Sequence, residues 1–186
     1  RFDKSIEKDE YYRFSKLNKE KQRVAKTIDR KILDLGIGDP STFPPLDVLE
    51  EIKRSMNEED SHGYSDNGIL EFRYKVSNHL GVDYKCVTHT MGTKSALCIL
   101  AIMYIDKNDY VITLNPGYNV LSNMCKWLGG KVYNLALKEE NNYEIDLDNI
   151  PNKILKKTKL MYLNYPNNPT GKIANKELYI KLEKIL

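Results

Sequence analysis

The chain has 186 residues, 41% of them hydrophobic and 30% charged, which is the balance of a soluble globular protein able to bury one core. Its net charge is only +3, because 29 basic residues are interleaved with 26 acidic ones. That balance excludes a strong electrostatic attraction to nucleic acid or to an anionic membrane, and we expect neither as a partner. No apolar run approaches the roughly 20 residues of a membrane-spanning helix.

The cysteines indicate a compartment. Cys86, Cys98 and Cys125 are widely spaced and form no C-x-x-C pair, so the sequence predicts neither a disulfide framework nor a zinc site. Reduced thiols are typical of a cytoplasmic protein. The three histidines do not cluster with acids or cysteines at metal-ligand spacing, and we therefore expect no metal.

The N-terminal segment reads as an arm. Its first 30 residues are polar and lysine-rich, yet Leu17, Val24 and Ile28 recur at helical spacing, which predicts a helix lying on a surface. We expect residues 1–35 to form this arm and residues 36–186 to form an incomplete domain. The chain begins at Arg1, and Leu186 falls inside a predicted helix, so both ends look like cuts.

Two helices are expected in the first part of the domain. Gly36 and Gly38 break the preceding pattern, and Pro40 stops any helix there. Apolar residues at helical spacing then predict helices over residues 46–56 and 69–80, with Gly81 as the stop of the second. A loop over residues 62–68 separates them.

From residue 86 onward, strands alternate with helices. The predicted strands are residues 86–91, 110–114, 131–137 and 159–164. The predicted helices are residues 93–105, 118–128, 147–155 and 176–186, the third of them short and interrupted at Pro151. This alternation implies parallel βαβ units, hence an α/β fold with a mainly parallel sheet and helices on both faces. Ligands of such sheets sit beyond the carboxyl ends of the strands, which selects three loops: residues 91–94, 115–118 and 164–172.

The first loop is a candidate anion site. Gly92, Thr93 and Lys94 join a predicted strand to a helix N-terminus, where free N–H groups and the helix dipole attract an anion. Glycine permits close approach, Thr93 and Ser95 offer hydroxyl donors, and Lys94 adds charge. The same residues could instead be an ordinary turn that caps a helix.

The other two loops offer an aromatic ring and an amide. Tyr118 could stack on a flat heteroaromatic ligand or could merely plug the end of the sheet. Asn168 carries both a donor and an acceptor, and a cis Asn168–Pro169 bond would aim it into the crevice; as a bare sequence, N-P-T-G could also be a simple turn. An anion cradle, an aromatic plate and a directed amide on one edge together fit a planar cofactor bearing a phosphate.

These residues lie in five motifs that resemble one family. The chain is similar to the N-terminal part of the class I/II, fold type I, pyridoxal-phosphate-dependent aminotransferases, and within them to the branch that contains LL-diaminopimelate aminotransferase. The resemblance covers residues 12–186 and rests on "LDLGIGDP" (33–40), "HGYSDNGILEFR" (62–73), "MGTKSAL" (91–97), "NPGYNV" (115–120) and "YLNYPNNPTG" (162–171).

The resemblance implies a role for each matching residue. Gly92, Thr93 and Lys94 would hold the phosphate of pyridoxal 5'-phosphate, Tyr118 would stack on its pyridine ring, and Asn168 would hydrogen-bond its ring oxygen. It also implies that Tyr64 reaches the phosphate in the neighbouring subunit of a homodimer and that Gly38 lines the substrate pocket. The substrates would be an amino acid and a 2-oxo acid.

The resemblance also implies what these 186 residues lack. The family's cofactor-anchoring lysine, the aspartate at the pyridine nitrogen and the substrate-binding arginine all lie downstream of N-P-T-G. Lys94 and Lys172 do not occupy the context of that lysine, so the catalytic residue is unknown and we expect this chain alone to be inactive. In addition, Asn119 stands where the family commonly has proline after the stacking tyrosine.

The sequence leaves other functions open. The chain could be a non-catalytic half-domain, pseudoenzyme or scaffold, or part of another fold type I enzyme such as a C–S lyase, because a fold does not fix its chemistry. A nucleotide-binding module is a weaker alternative, since no G-x-G-x-x-G follows a strand and opens a helix, and the P-loop pattern is absent.

Overall fold

A computed structural model describes residues 13–36, 38–64 and 68–185 of the chain. Residues 1–12 of the predicted arm, residues 37 and 65–67 of two family-like motifs, and residue 186 lie outside the described part. The chain divides into two compact units, Arg1–His89 and Thr90–Leu186. The predicted division after residue 35 stays a prediction.

The first unit is helical. Its elements are helices α1 (Arg13–Ala25), α2 (Leu46–Ser55) and α3 (Leu70–Leu80), with 3₁₀ turns at Glu59–His62 and Tyr84–Cys86. The predicted helices are confirmed, and Gly81 ends α3 in the left-handed conformation at φ 68°, where its N–H donates to the carbonyl of Ser77. Glycine adopts that conformation without the steric cost of a Cβ, which explains the stop.

The predicted strand at residues 86–91 is wrong. Within the described residues, this segment is a 3₁₀ turn at Tyr84–Cys86 followed by unpaired backbone. Arg73 holds this segment by its side chain: its Nε donates to the carbonyl of Val87 at 2.9 Å and its Nη2 to that of Tyr84, in the 3₁₀ turn, at 3.0 Å. Alternating apolar residues fit an extended chain, but a strand also requires a partner.

A parallel sheet is the centre of the second unit. Strands β1 (Tyr110–Asn115), β2 (Lys131–Ala136) and β3 (Thr158–Met161) lie in the order β2-β1-β3, and both pairings are parallel. The three predicted strands from residue 110 onward are therefore confirmed, with shifted ends. β1 is central, and its residues 111–114 are all buried, as expected of a strand covered on both faces.

Helices cover both faces of this sheet, which confirms the predicted α/β class. Helices α4 (Gly92–Tyr104) and α5 (Val120–Trp127) are on one face, where Ala101 and Cys125 pack with Val111. Helices α6 (Asn152–Leu155) and α7 (Lys176–Glu183) are on the other, where Ile154 and Leu182 pack with Ile112. Successive side chains of a strand point to opposite faces, so Val111 and Ile112 belong to different apolar clusters.

The predicted helix at residues 147–155 is wrong in its first half. Leu147 and Ile150 are buried, but only Asn152–Leu155 is helical, with Pro151 as its N-cap. Proline lacks a backbone donor and clashes with the preceding turn, so it is tolerated at the start of a helix and not inside one. The apolar spacing before Pro151 reflects burial of a loop.

Cys125 provides a test of this core. Its side chain is 0% exposed, and burial raises the pKa of its thiol, so at neutral pH the unreactive neutral form predominates. We expect iodoacetamide to leave Cys125 of the native protein unmodified and to label it after denaturation in urea, as read by peptide mass spectrometry. Exposed Cys86 is the comparison residue. Labelling of Cys125 at the rate of Cys86 without denaturant would contradict the described packing.

Two further features follow from the described residues. None of the helices in residues 13–36, 38–64 and 68–185 is long and apolar enough to cross a membrane. Over the same ranges, no group of three or more His, Cys, Asp or Glu side chains could hold a metal ion.

Candidate functional site

Two of the three predicted loops meet at the carboxyl edge of the sheet. β1 runs directly into residues 115–118, and the segment after β3 continues into residues 164–172. The Nδ2 of Asn167 donates to the carbonyl of Pro116 at 3.3 Å, which joins the two loops. Burial raises the pKa of Tyr162, and the phenol of Tyr118 raises it further.

The turn at Gly92 has the features of an anion cradle. Helix α4 begins at Gly92, and the preceding Met91 provides no side-chain cap for the first-turn N–H groups. Gly92 has φ +79°, and no atom lies within 4 Å of the place where a Cβ would stand. Thr93 and Lys94 are exposed beside it. The N–H of Gly92 donates to the carbonyl of Thr90 at 2.8 Å, so the uncapped N–H groups of this helix start are those that follow Gly92. Uncapped N–H groups at an open helix N-terminus suit a phosphate.

Ser95 does not contribute as the sequence suggested. Its Oγ donates to the carbonyl of Met91 at 2.9 Å, one helical turn back. A hydroxyl has one proton to donate, so a ligand at this turn would receive no hydrogen bond from Ser95. Thr93 is left as the hydroxyl donor of the cradle.

Tyr118 and Asn168 stand at the ends of the two joined loops. The Tyr118 ring is half-buried, and it follows Gly117, which packs closely on the carbonyl of Leu114. The side chain of Asn168 is exposed, and it makes no hydrogen bond within the described part of the chain. The bonds Asn115–Pro116 and Asn168–Pro169 are both cis. An aromatic face and an unused amide are thus available at one edge.

Asn167 was missed by the sequence reasoning. Its side chain is 2% exposed, whereas that of the neighbouring Asn168 is exposed. The only signal was the asparagine doublet: consecutive side chains diverge, so one of them had to turn away from a ligand. Asn167 turns inward and ties the loops together.

The two lysines considered for a catalytic role differ in environment. Lys94 is exposed. Lys172 has an 18% exposed side chain, and its Nζ lies 3.4 Å from Glu144 Oε1. The ammonium of Lys172 is therefore engaged by a carboxylate. This environment agrees with leaving Lys172 out of the catalytic role.

The remaining predicted residues, Tyr64 and Gly38, lie in the first unit. Tyr64 is fully exposed, and Gly38 has open space where a Cβ would stand. Both are free to contact other groups, and their roles stay predictions.

Two polar clefts adjoin the joined loops. One, of about 210 Å³, extends from Tyr118 towards Asn134 of β2, and the other, of about 170 Å³, lies between Lys172 and helix α7. Neither is lined by Thr93, Lys94 or Asn168. Of the predicted cofactor residues in this unit, Tyr118 therefore lines a cleft, and Thr93, Lys94 and Asn168 lie outside both clefts.

Comparison with known proteins identifies the class. A model of the family "Aminotransferase class I and II" matches residues 30–186, and the chain belongs to this family, which depends on pyridoxal phosphate. The chain is 37% identical to LL-diaminopimelate aminotransferase and 36% identical to a probable aspartate aminotransferase, both of Methanocaldococcus jannaschii, over 92% and 82% of its length. These alignments span 43% and 42% of the relatives, so the chain covers less than half of either.

The fold of a solved structure matches that of the chain. Alanine aminotransferase from Pyrococcus furiosus superimposes with a TM-score of 0.84 and 26% sequence identity, and the match covers 100% of this chain and 49% of that one. The fold predicted from the sequence, and its assignment to fold type I, are thereby confirmed.

The residues of the site fit pyridoxal phosphate. The phosphate requires N–H groups, a hydroxyl and a cation, which Thr93 and Lys94 present at a helix start that Gly92 leaves open. The flat ring requires an apolar face, and the ring oxygen requires a donor, which Tyr118 and Asn168 supply. The role of each residue is a proposal.

Proposed function

We propose that this chain forms part of an aminotransferase that moves an amino group between an amino acid and a 2-oxo acid with pyridoxal phosphate. The observation that carries the proposal is the junction of the loops after β1 and β3, where Asn167 contacts Pro116 and leaves Tyr118 and Asn168 at one edge. Membership of the aminotransferase family supports it.

Each residue has one task in this proposal. Gly92 leaves room for the phosphate, and the N–H group and hydroxyl of Thr93, with the Lys94 ammonium, bind it and so fix the position of the cofactor. Tyr118 stacks on the ring and excludes water from one face. Asn168 donates to the ring oxygen and favours its anionic form. When bound, the cofactor supplies the electron sink that the amino-acid chemistry requires.

We also propose a homodimer, in which Tyr64 reaches the phosphate of the neighbouring subunit and Gly38 lines the substrate pocket. Their exposure and open surroundings are compatible with such contacts. A reducing, cytoplasmic compartment is proposed from the three free thiols. No residue of this chain is proposed as the cofactor-anchoring lysine, and we expect the 186 residues alone to have no turnover.

The test uses the longest natural product of the gene that encodes this chain. We expect the purified protein to bind pyridoxal phosphate, to absorb in the visible, and to change that absorption when an amino acid donates its amino group and a 2-oxo acid appears. The 186-residue chain, assayed in parallel, should form no 2-oxo acid.

Other outcomes separate the rival functions. Release of a thiol from a sulfur amino acid, without transamination, would favour a C–S lyase. A protein that binds no pyridoxal phosphate would favour the scaffold or pseudoenzyme. Turnover by the 186 residues, with a borohydride-trapped adduct at Lys94 or Lys172, would overturn the assignment of the catalytic residue.

A further inference from the structure

Asn167 is the one buried residue of the loop formed by residues 164–172, and it is polar. Its side chain is 2% exposed, while Pro166, Asn168 and Pro169 around it are exposed. An amide is costly to bury unless hydrogen bonds replace those it made with water. The contacts of Asn167 therefore indicate what its burial achieves.

Both the backbone and the side chain of Asn167 are engaged. Its carbonyl accepts from the N–H of Gly171 at 2.7 Å, and its N–H donates to the carbonyl of Lys172 at 2.8 Å, which closes the turn. Its Nδ2 donates to Thr170 Oγ1 at 2.9 Å and to the carbonyl of Pro116 at 3.3 Å. The turn is thus complete through the backbone, and the side chain serves an additional purpose: it reaches a loop 51 residues earlier.

The orientation of this amide follows from its partners. Rotating the group by half a turn would place Oδ1 against the carbonyl oxygen of Pro116, and two acceptors repel each other. Nδ2 therefore faces Pro116. The consequence is that Oδ1 is buried with no hydrogen-bond partner, and it is the side-chain atom with this property in the described part of the chain.

An unpartnered buried acceptor lowers stability, so a residue chosen for stability alone would be apolar here. Departures from that rule concentrate at functional sites. Asn167 joins the loop that carries Tyr118, two residues after Pro116, to the turn that carries Asn168, its own neighbour. The Asn167 side chain, whose buried acceptor lowers stability, is thus the group that links the two loops.

We infer that Asn167 is a positioning residue that holds Tyr118 and Asn168 at the spacing that the cofactor ring requires. It acts through these two residues and does not itself touch the ring. The inference rests on the proposed function, since it assigns Tyr118 and Asn168 to one ligand.

The test compares three variants of the full-length protein with the wild type. Asn167→Leu keeps the branched shape, removes the donor and also removes the unpartnered acceptor. Thr170→Val removes one acceptor of the Asn167 amide and leaves its contact with Pro116. Leu182→Ala is the control, because it removes apolar volume from the buried cluster under α7 and none of the hydrogen bonds of the Asn167 side chain.

We expect Asn167→Leu to bind pyridoxal phosphate roughly tenfold more weakly, the effect of one lost positioning hydrogen bond, with a melting temperature close to that of the wild type. The midpoint of the pH-dependent visible absorption should move to higher pH, because Asn168 is less well aimed at the ring oxygen. Thr170→Val should show a smaller change in the same direction. Leu182→Ala should lower the melting temperature and leave affinity and midpoint unchanged.

Wild-type affinity and midpoint in Asn167→Leu would overturn the inference. The inference would also be overturned if Asn167→Leu lost cofactor affinity only in proportion to its loss of melting temperature. Leu182→Ala shows how much affinity such a loss of melting temperature costs by itself. If Asn167→Leu does not fold, Thr170→Val decides, and an unchanged midpoint in that variant contradicts the inference. A wild-type protein that binds no pyridoxal phosphate contradicts the proposed function, and the inference falls with it.

Discussion

Replacement of Gly117 by alanine in the full-length protein is expected to weaken pyridoxal phosphate binding by about five- to 150-fold, since an overpacked site costs roughly 1–3 kcal/mol. A Cβ on Gly117 would overlap the carbonyl oxygen of Leu114 and stand 3.0 Å from its carbonyl carbon. Both are backbone atoms of β1, which is hydrogen-bonded to a strand on each side. The strand cannot retreat, so the loop must move.

The movement of the loop would displace Tyr118, the proposed ring-stacking residue. Tyr118 directly follows Gly117, and the preceding Pro116 carbonyl is held by Asn167. A shift of this loop would therefore displace the aromatic face and strain the junction with the turn that carries Asn168. We expect the loss to appear mainly in cofactor affinity, measured by titration and followed by absorption.

Gly130→Ala is the matched control for this prediction. A Cβ there would stand 2.6 Å from Cys125 Sγ and 2.9 Å from Ile105 Cγ2, so it also overpacks, but it does so within the apolar core. This variant should melt at a lower temperature and bind the cofactor with nearly unchanged affinity. Equal affinity in Gly117→Ala and the wild type would show that the position of the loop does not limit binding.

The strands and helices of the second unit could be predicted from the sequence because the spacing of their apolar residues reflects burial. Residues 111–114 of β1 form a continuous apolar run save for Thr113, and the strand is buried on both faces. Where apolar spacing had another cause, the prediction was wrong. Buried Leu147 and Ile150 belong to a loop before Pro151, and residues 87–91, which follow a 3₁₀ turn, pair with no strand in the described part of the chain. Periodicity reports which side chains are buried, and it does not report hydrogen-bond partners.

The candidate site, like the fold, was predicted only in part. The carboxyl-edge rule selected the loops that carry Tyr118 and Asn168, and the structure brings those two loops together. The contact that joins them was not predictable, because it links a side chain to a backbone carbonyl 51 residues away. Nor was the engagement of the Ser95 hydroxyl by Met91, since a serine in a first helical turn can donate to a ligand or to the backbone.

Asn168→Ala is expected to raise the midpoint of the pH-dependent visible absorption of the bound cofactor by roughly one to two pH units. Hydrogen bonds to charged groups contribute about 1.5–3 kcal/mol, and each pH unit corresponds to about 1.4 kcal/mol. The sign follows from the proposed role: a donor favours the anionic ring oxygen and lowers its pKa, so removal of the donor raises it. The exposed Asn168 amide has no other partner in the described residues to compensate.

Asn175→Ala is the control for this last variant, because it removes another asparagine of the same region with a known structural task. Asn175 Oδ1 accepts from the N–H of Leu178 at 2.9 Å and caps helix α7, so its loss should cost about 1 kcal/mol of stability without moving the absorption midpoint. A spectrophotometric pH titration of both variants separates the two roles. If the midpoint of Asn168→Ala stays at the wild-type value, Asn168 does not donate to the ring oxygen, and the amide at this edge must serve the substrate or the turn instead.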